Sequence, residues 1–130
     1  MKVSWLIEKR VILAVANETL SLTDFVQVNQ DVIAHLDDGE PATYLIANFR
    51  GIISLPNTMN SLHQITTYVN HPNLEWEVLI TDIGFVQFLA KSINHTRGRR
   101  SINIVKTYSE AKAILQELDP TLTDLPDSID

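Results

Sequence analysis

The sequence predicts an α/β domain built on a mostly parallel five-stranded sheet whose first strand is antiparallel. Two observations favour this class. After the first two strand-like segments, short apolar, strand-like segments alternate with amphipathic, helix-like segments, which implies right-handed crossovers and parallel strands. Only the charged triplet Glu8-Lys9-Arg10 separates the first two strand-like segments, as in a β-hairpin. The predicted element order is ββαβαβαβα, in a single domain over residues 1–120.

The first half of the chain is predicted to form a hairpin followed by a helix. Residues 3–7 and the β-branched run 11–16 are the two strands. Ser21 or Thr23 can cap the helix, and Gly39 is expected to end it in the left-handed conformation. The helix residues predicted to face the sheet are Phe25, Val26, Val32, Ile33 and Leu36.

A buried strand near the middle of the chain organises the predicted domain. It covers Tyr44 to Ala47 and is followed by a polar segment, a turn at Gly51 and a helix that begins near Pro56. In open α/β sheets, binding and catalytic sites are usually built at the carboxyl end of such an inner strand. The functional site is therefore expected there.

Three further helices and two strands are predicted in the second half of the chain. The strands cover residues 76–81 and 101–105, and the helix between them, over residues 85–94, is unusually apolar. Thr107-x-x-Glu110 is a capping box that opens the last helix, and Asp119-Pro120 ends it. The inward residues expected on the first and last of these helices are Met59, Leu62, Ile65, Val69, Ala111, Ile114, Leu115 and Leu118.

Residues 121–130 are predicted to lie outside the core as an acidic, flexible C-terminal tail. Acids and prolines concentrate at this end of the chain, at Asp119, Pro120, Asp124, Pro126, Asp127 and Asp130. Such a composition is expected to bury too little apolar surface to offset the entropy that is lost on ordering.

Charge and composition exclude several classes of protein. A formal net charge of −6 argues against general nucleic-acid binding, which needs a basic surface. The absence of cysteine excludes disulfides and zinc–thiolate sites, and the apolar runs are too short to span a bilayer. Neither a GxGxxG nor a GxxxxGKS phosphate-binding motif is present, so no cofactor is expected. The expected location is the cytoplasm.

Five candidate residues for contact with a ligand or partner follow the inner strands: Asn48, Arg50, Ser54, Thr58 and Asp82. Arg50 is the best of them because its planar guanidinium can hold a carboxylate or phosphate in two contacts, although it could instead pair with Asp82. Asp82 stands where α/β enzymes place catalytic acids, but its commoner role is to cap the next helix. No base lies near the hydroxyls in sequence, so no catalytic residue is predicted. The four histidines lack the i, i+4 pairing that metal sites on helices use, so no metal ligand is predicted.

Two other segments suggest contacts with partners. Phe88 is displaced from the inward face of the apolar helix 85–94, which predicts an aromatic anchor for a symmetric homodimer. The alternative is that Phe88 packs under a neighbouring loop. Arg97, Arg99 and Arg100 form a basic cluster that is either a solvated loop or a contact for an anion or an acidic partner.

The closing part of the chain carries a family resemblance. The basic loop RGRR, the strand SINIVK and the segment TYSEAKAILQELDPTL resemble the end of small bacterial STAS domains, the family of anti-sigma-factor antagonists. The resemblance covers residues 3–122, and the winding is similar to that of the CRAL-TRIO lipid-binding fold. Phosphorylated antagonists of this family carry an Asp-Ser pair where the predicted helix opens here with Asn57-Thr58, so the resemblance does not extend to a phosphorylation switch.

The resemblance implies a non-enzymatic regulatory or protein-interaction module of the STAS-like type, without the phosphorylatable pair. The alternative is a carrier or sensor of a small apolar or lipid-like ligand, which the apolar helix 85–94 favours. An enzyme that uses Asn48, Arg50 and Asp82 is the third class. The expected partner is accordingly a protein or a small apolar ligand, with a homodimer possible.

Overall fold

A computed structural model describes residues 2–19, 21–54, 67–82, 84 and 102–129 of the chain. Within these ranges, a five-stranded sheet is covered by helices on both faces. The strands are β1 (Lys2–Ile7), β2 (Val11–Thr19), β3 (Thr43–Ser54), β4 (Leu74–Ile80) and β5 (Ile102–Val105). The helices are α1 (Leu22–Asp38), a 3₁₀ helix (Thr67–Asn70) and α2 (Tyr108–Leu118).

The strands lie side by side in their sequence order, β1-β2-β3-β4-β5. β1 is antiparallel to β2, and the other three pairs are parallel, with Tyr44 of β3 beside Trp76 of β4. The predicted α/β class and the mixed sheet are therefore confirmed. Most of the predicted helix after Pro56 and all of the predicted helix 85–94 lie outside the described residues.

One face of the sheet is covered by α1, which begins with a complete capping box. The Ser21 hydroxyl accepts a hydrogen bond from the Asp24 N–H, and the Asp24 carboxylate accepts one from the Ser21 N–H. The buried residues of α1 are Phe25, Val28, Val32 and Leu36. Val26 is 39 % exposed, contrary to the prediction, because it lies about 100° around the helix from Phe25.

The turn between α1 and β3 is shaped by close packing at its glycine. Gly39 has extended dihedrals, φ −80° and ψ 168°, so the predicted left-handed cap is wrong. A Cβ at this position would lie 2.7 Å from Thr43 Oγ1 and 3.1 Å from the Trp5 ring, which explains why glycine fits here. The left-handed residue of this turn is Ala42, with a φ of 69°.

The opposite face of the sheet is covered by α2. Thr107 caps this helix by accepting a hydrogen bond from the Glu110 N–H, which is one half of the predicted capping box. The Glu110 carboxylate accepts its hydrogen bond from the Lys106 N–H at 3.4 Å rather than from the Thr107 N–H. The buried residues of α2 are Tyr108, Ala111 and Leu115. Leu118, which was predicted to face inward, is 44 % exposed at the end of the helix.

The residues that follow α2 pack onto the same face, so the prediction that they lie outside the core is wrong. Leu122 and Leu125 are 2 % and 5 % exposed, and both belong to the apolar cluster formed by α2 and the sheet. The acidic side chains of Asp124 and Asp127 point to solvent. Burying the two leucines therefore requires no burial of charge, which is why an acidic segment can complete the core.

Candidate functional site

The carboxyl half of β3 is where the sequence predicts the functional site. β3 does not turn at Gly51 as predicted but continues to Ser54, because β2 extends beside it as a parallel partner. Between the residue pairs Val15–Asn48 and Asn17–Gly51, β3 contains one residue more than β2. This extra residue forms a bulge, a feature in which glycine is favoured.

Asn48 and Arg50, two of the predicted contact residues, contact each other at this bulge. Asn48 is 8 % exposed, and its Oδ1 accepts hydrogen bonds from the Arg50 backbone N–H at 3.3 Å and from Arg50 Nε at 3.5 Å. The Arg50 side chain is exposed. The buried amide of Asn48 thus orients a guanidinium at the surface, at the carboxyl end of the sheet.

The remaining predicted contact residues are described only in part. Asp82 is exposed and follows Thr81, which is fully buried and donates its N–H to the Val105 carbonyl at 2.9 Å. Ser54 is the last residue of β3, and the structure describes its backbone alone. Thr58 and Phe88 lie outside the described residues. The roles assigned to Ser54, Thr58, Asp82 and Phe88 stay predictions. Asn48 and Arg50 are the two predicted contact residues that the structure brings together.

An apolar pocket that the sequence pattern did not predict lies between α1 and the sheet. Its empty volume, including the space that is open to solvent at its mouth, is about 360 Å³. The described residues that line it are Ala14, Phe25, Val28, Asn29, Val32, Leu45, Ala47, Phe49 and Tyr68. Neither Asn48 nor Arg50 lines the pocket, so the predicted contact residues and the pocket are separate features.

Two adjacent alanines form the floor of the pocket. Ala14 of β2 is the register partner of Ala47 of β3, and both residues are buried. Two residues earlier on the same face, the pair Ile12–Leu45 fills the space beneath α1 with branched side chains. The pocket exists because this face of the sheet changes from large side chains to methyl groups under the N-terminal half of the helix.

Aromatic rings form the walls of the pocket at its outer end. Phe25 of α1 and Phe49 of β3 meet edge to face, with ring centroids 6.3 Å apart and an interplanar angle of 63°. Phe49 lies between Asn48 and Arg50 in sequence, and it is only partly buried. The central strand therefore contributes to both features, the pocket through Phe49 and the polar pair through its two neighbours.

The polar side chains at the pocket are bonded to one another. Asn29 Nδ2 donates to Thr67 Oγ1 at 3.0 Å, and Asn29 Oδ1 accepts from the Tyr68 N–H at 2.9 Å. The Tyr68 hydroxyl donates to the buried Glu77 carboxylate at 3.1 Å. These bonds hold the 3₁₀ helix against α1 and the sheet, and they leave a lining suited to an apolar occupant.

A polar network at the other end of β3 secures the segment that follows α2. Asp119 Oδ2 accepts hydrogen bonds from Arg10 Nη2 at 2.9 Å and from the Tyr44 hydroxyl at 3.3 Å. Hydrogen bonds from Thr121, together with those from Tyr44 and the charge of Arg10, hold the pKa of Asp119 below its usual value. Burial and the neighbouring Asp119 raise the pKa of Tyr44 to about 12. Because these side chains bond to one another, the network holds the segment that follows α2 against the amino end of β3.

Within the described residues, no three His, Cys, Asp or Glu side chains form a group that could hold a metal ion. No helix in that part of the chain is long and apolar enough to cross a bilayer. No family model, curated protein or solved structure matches this chain. In the part of the chain that the structure describes, the pocket and the Asn48–Arg50 pair are the local features that bear on function at this end of the sheet.

Proposed function

We propose that this chain is a non-enzymatic binding module of the STAS-like type, and that the pocket beneath α1 holds a small apolar ligand. The observation that carries this proposal is the Ala14–Ala47 floor, which leaves an apolar space walled by Phe25 and Phe49. Ligand pockets in proteins are lined mainly by apolar and aromatic side chains. The module then acts as a carrier or sensor of this ligand, with the cytoplasm as its place of action.

The lining determines the chemical class of the ligand. Since Asn29 and Tyr68 use polar atoms within the protein, a polar ligand group would lose its hydrogen bonds to water without replacement, which costs about 1–3 kcal/mol per group. An apolar group incurs no such loss and is stabilised by about 25 cal/mol for each Å² removed from water. The ligand that this lining favours is therefore small and apolar, such as a short alkyl chain or a single ring.

A sensing role is supported by the position of the pocket between three elements. Its lining comes from α1, from β2 and β3, and from the 3₁₀ helix, so an occupant contacts all of them together. A ligand that binds only the folded state increases its stability by an amount that depends on ligand concentration and Kd. Occupancy would thus tighten the packing of α1 on the sheet.

A protein partner is the second candidate, favoured by an apolar flank of α1. Leu22 and Val26 are each 39 % exposed and lie four residues apart, on one side of the helix. Arg50, oriented by Asn48, would supply a charged contact at the carboxyl end of the sheet. The STAS-like resemblance supports this candidate, because it implies a regulatory domain that binds proteins.

No catalytic step is proposed. The polar pair at the carboxyl end of β3 consists of an amide and a guanidinium, which suit recognition better than proton transfer. The STAS-like type is supported by the resemblance over residues 3–122 and is compatible with the mixed α/β sheet.

Untargeted mass spectrometry of a solvent extract of the purified protein tests the ligand proposal. The wild type should release an apolar compound in near-stoichiometric amount, whereas Ala47→Leu should release little, because the larger side chain occupies the floor of the pocket. Leu118→Ala is the matched control, since Leu118 is exposed at the end of α2 and far from the lining. Circular dichroism establishes that both variants are folded.

Two outcomes would contradict the ligand proposal. One is an extract of the wild type that contains no apolar compound above the level found with an unrelated protein purified in parallel. The other is equal recovery of a compound from the wild type and from Ala47→Leu. Either result would leave the protein partner as the better candidate.

A further inference from the structure

The two ends of the pocket beneath α1 differ in how far a ligand could extend through them. At the amino end of β3, the pocket meets Leu45 and Val32, which are 1 % and 0 % exposed and belong to one cluster of buried side chains. At the carboxyl end, it meets the rings of Phe25 and Phe49. A ligand can extend at the first end only by displacing closely packed core side chains, so its length is limited at the second end.

The bulge in β3 directs the Phe49 ring toward the carboxyl end of the pocket. Among the described strands, β4 accompanies β3 only as far as the pair Asn48–Ile80, and the bulge against β2 follows directly. The Asn48 side chain spans the bulge, since its Oδ1 accepts a hydrogen bond from the Arg50 N–H at 3.3 Å. Bulges are common beside binding sites because they redirect a side chain. The residue redirected here is Phe49, which lies between the two bonded residues.

Phe49 can be replaced without breaking a hydrogen bond of the pocket lining. Three of the described lining side chains are partly exposed, those of Asn29, Phe49 and Tyr68. Asn29 and Tyr68 are held by hydrogen bonds within the protein, so changing either would unpair polar groups. The Phe49 ring instead packs edge to face on Phe25, and a shorter apolar side chain leaves no polar atom unsatisfied. Such a change therefore alters the length of the pocket and little else.

We propose that Phe49 determines the length of apolar ligand that the pocket accepts, by closing its carboxyl end. Leu45, Ala47 and Phe49 occupy alternate positions on this face of β3, so the small side chain of the floor lies between two large ones. The inner one belongs to the core, and the outer one is partly exposed. In the wild type the ring selects a compact ligand, and shortening it opens a path for a chain along the sheet. The inference rests on the ligand site proposed above and adds its size limit.

The affinities of benzene, ethylbenzene and n-butylbenzene, measured by ¹⁵N chemical-shift titration of the full chain, test this role. The wild type should bind the two longer compounds no more tightly than benzene. Phe49→Ala should bind the longer compounds more tightly, by about fourfold for every methylene that the extended pocket buries. Phe49→Leu should show a smaller increase in the same direction, and it provides the comparison if the alanine variant does not fold.

Val28→Ala is the matched control, because Val28 lines the pocket from α1 without closing its carboxyl end. It should change the affinities of the three compounds by a similar factor. The same dependence on chain length in the wild type and in the Phe49 variants, or an equal gain in Val28→Ala, would overturn the role of Phe49 and leave the ligand site intact. Binding of n-butylbenzene to Phe49→Ala, with no saturable binding of any compound to the wild type, would refute the ligand site and support closure by Phe49. No saturable binding to any of these proteins would refute both.

Discussion

Truncating the side chain of Leu122 should destabilise the protein by about 3 kcal/mol, although this residue lies in an acidic segment close to the end of the chain. Leu122 is 2 % exposed and packs in one cluster with Val11, Tyr44 and Leu115. Leu122→Ala removes buried apolar surface and leaves a cavity, since the strands beneath are held by their ladders and cannot close around it. For a domain of this size, the melting temperature should fall by about 9–15 °C.

Urea denaturation followed by far-ultraviolet circular dichroism measures this loss, with an unchanged m-value showing that the two-state transition is intact. Thr123→Ala is the matched control, because Thr123 is the next residue and its side chain is exposed. The control should change the free energy of unfolding by less than about 0.5 kcal/mol. If Leu122→Ala lost no more than its control, the segment after α2 would not be docked on the sheet.

Three further substitutions probe the turn after α1 and the network at the amino end of β3. Gly39→Ala should lower the free energy of unfolding by about 1–3 kcal/mol, because the added Cβ would lie 2.7 Å from the buried Thr43 Oγ1; an unchanged urea midpoint would contradict this clash. Ala42→Gly should be neutral or stabilising by up to about 1 kcal/mol, since glycine relieves the strain of a φ of 69°; a clear loss of stability would show that there is no strain to relieve. From pH 10 to 12 the native state keeps the Tyr44 proton while the unfolded state loses it, so the native state binds more protons and stability should fall as pH rises. Tyr44→Phe should make that decline shallower in urea titrations, and a slope equal to that of the wild type would contradict the raised pKa.

The direction of the strands could be predicted from local patterns in the sequence. The polar triplet between the first two strands favoured a hairpin, and the alternation that follows favoured parallel pairs such as the strands of Tyr44 and Trp76. Helical spacing also predicted the buried positions Phe25, Leu36 and Leu115. These features depend on neighbours within a few residues, and a single sequence contains that information.

The pocket could not be predicted, because it depends on register. Ala14 lies within one apolar run and Ala47 ends another, and both are ordinary strand residues when considered alone. Only the parallel pairing of β2 with β3 places the two methyl groups side by side beneath α1. The prediction that residues 121–130 lie outside the core was wrong because it depended on average composition. The average does not contain the three-residue spacing of the buried Leu122 and Leu125.

The apolar site beneath α1 is tested most directly by titrating ¹⁵N-labelled protein with benzene, a small probe without polar atoms, and mapping the amide chemical shifts. The proposal predicts saturable shifts at the backbone amides of Ala14, Ala47 and Phe49 and at the side-chain amide of Asn29, with little change at Arg50. The same titration of Ala47→Leu should give no saturable response. Shifts that do not saturate, or that are equal in the wild type and in Ala47→Leu, would contradict the site.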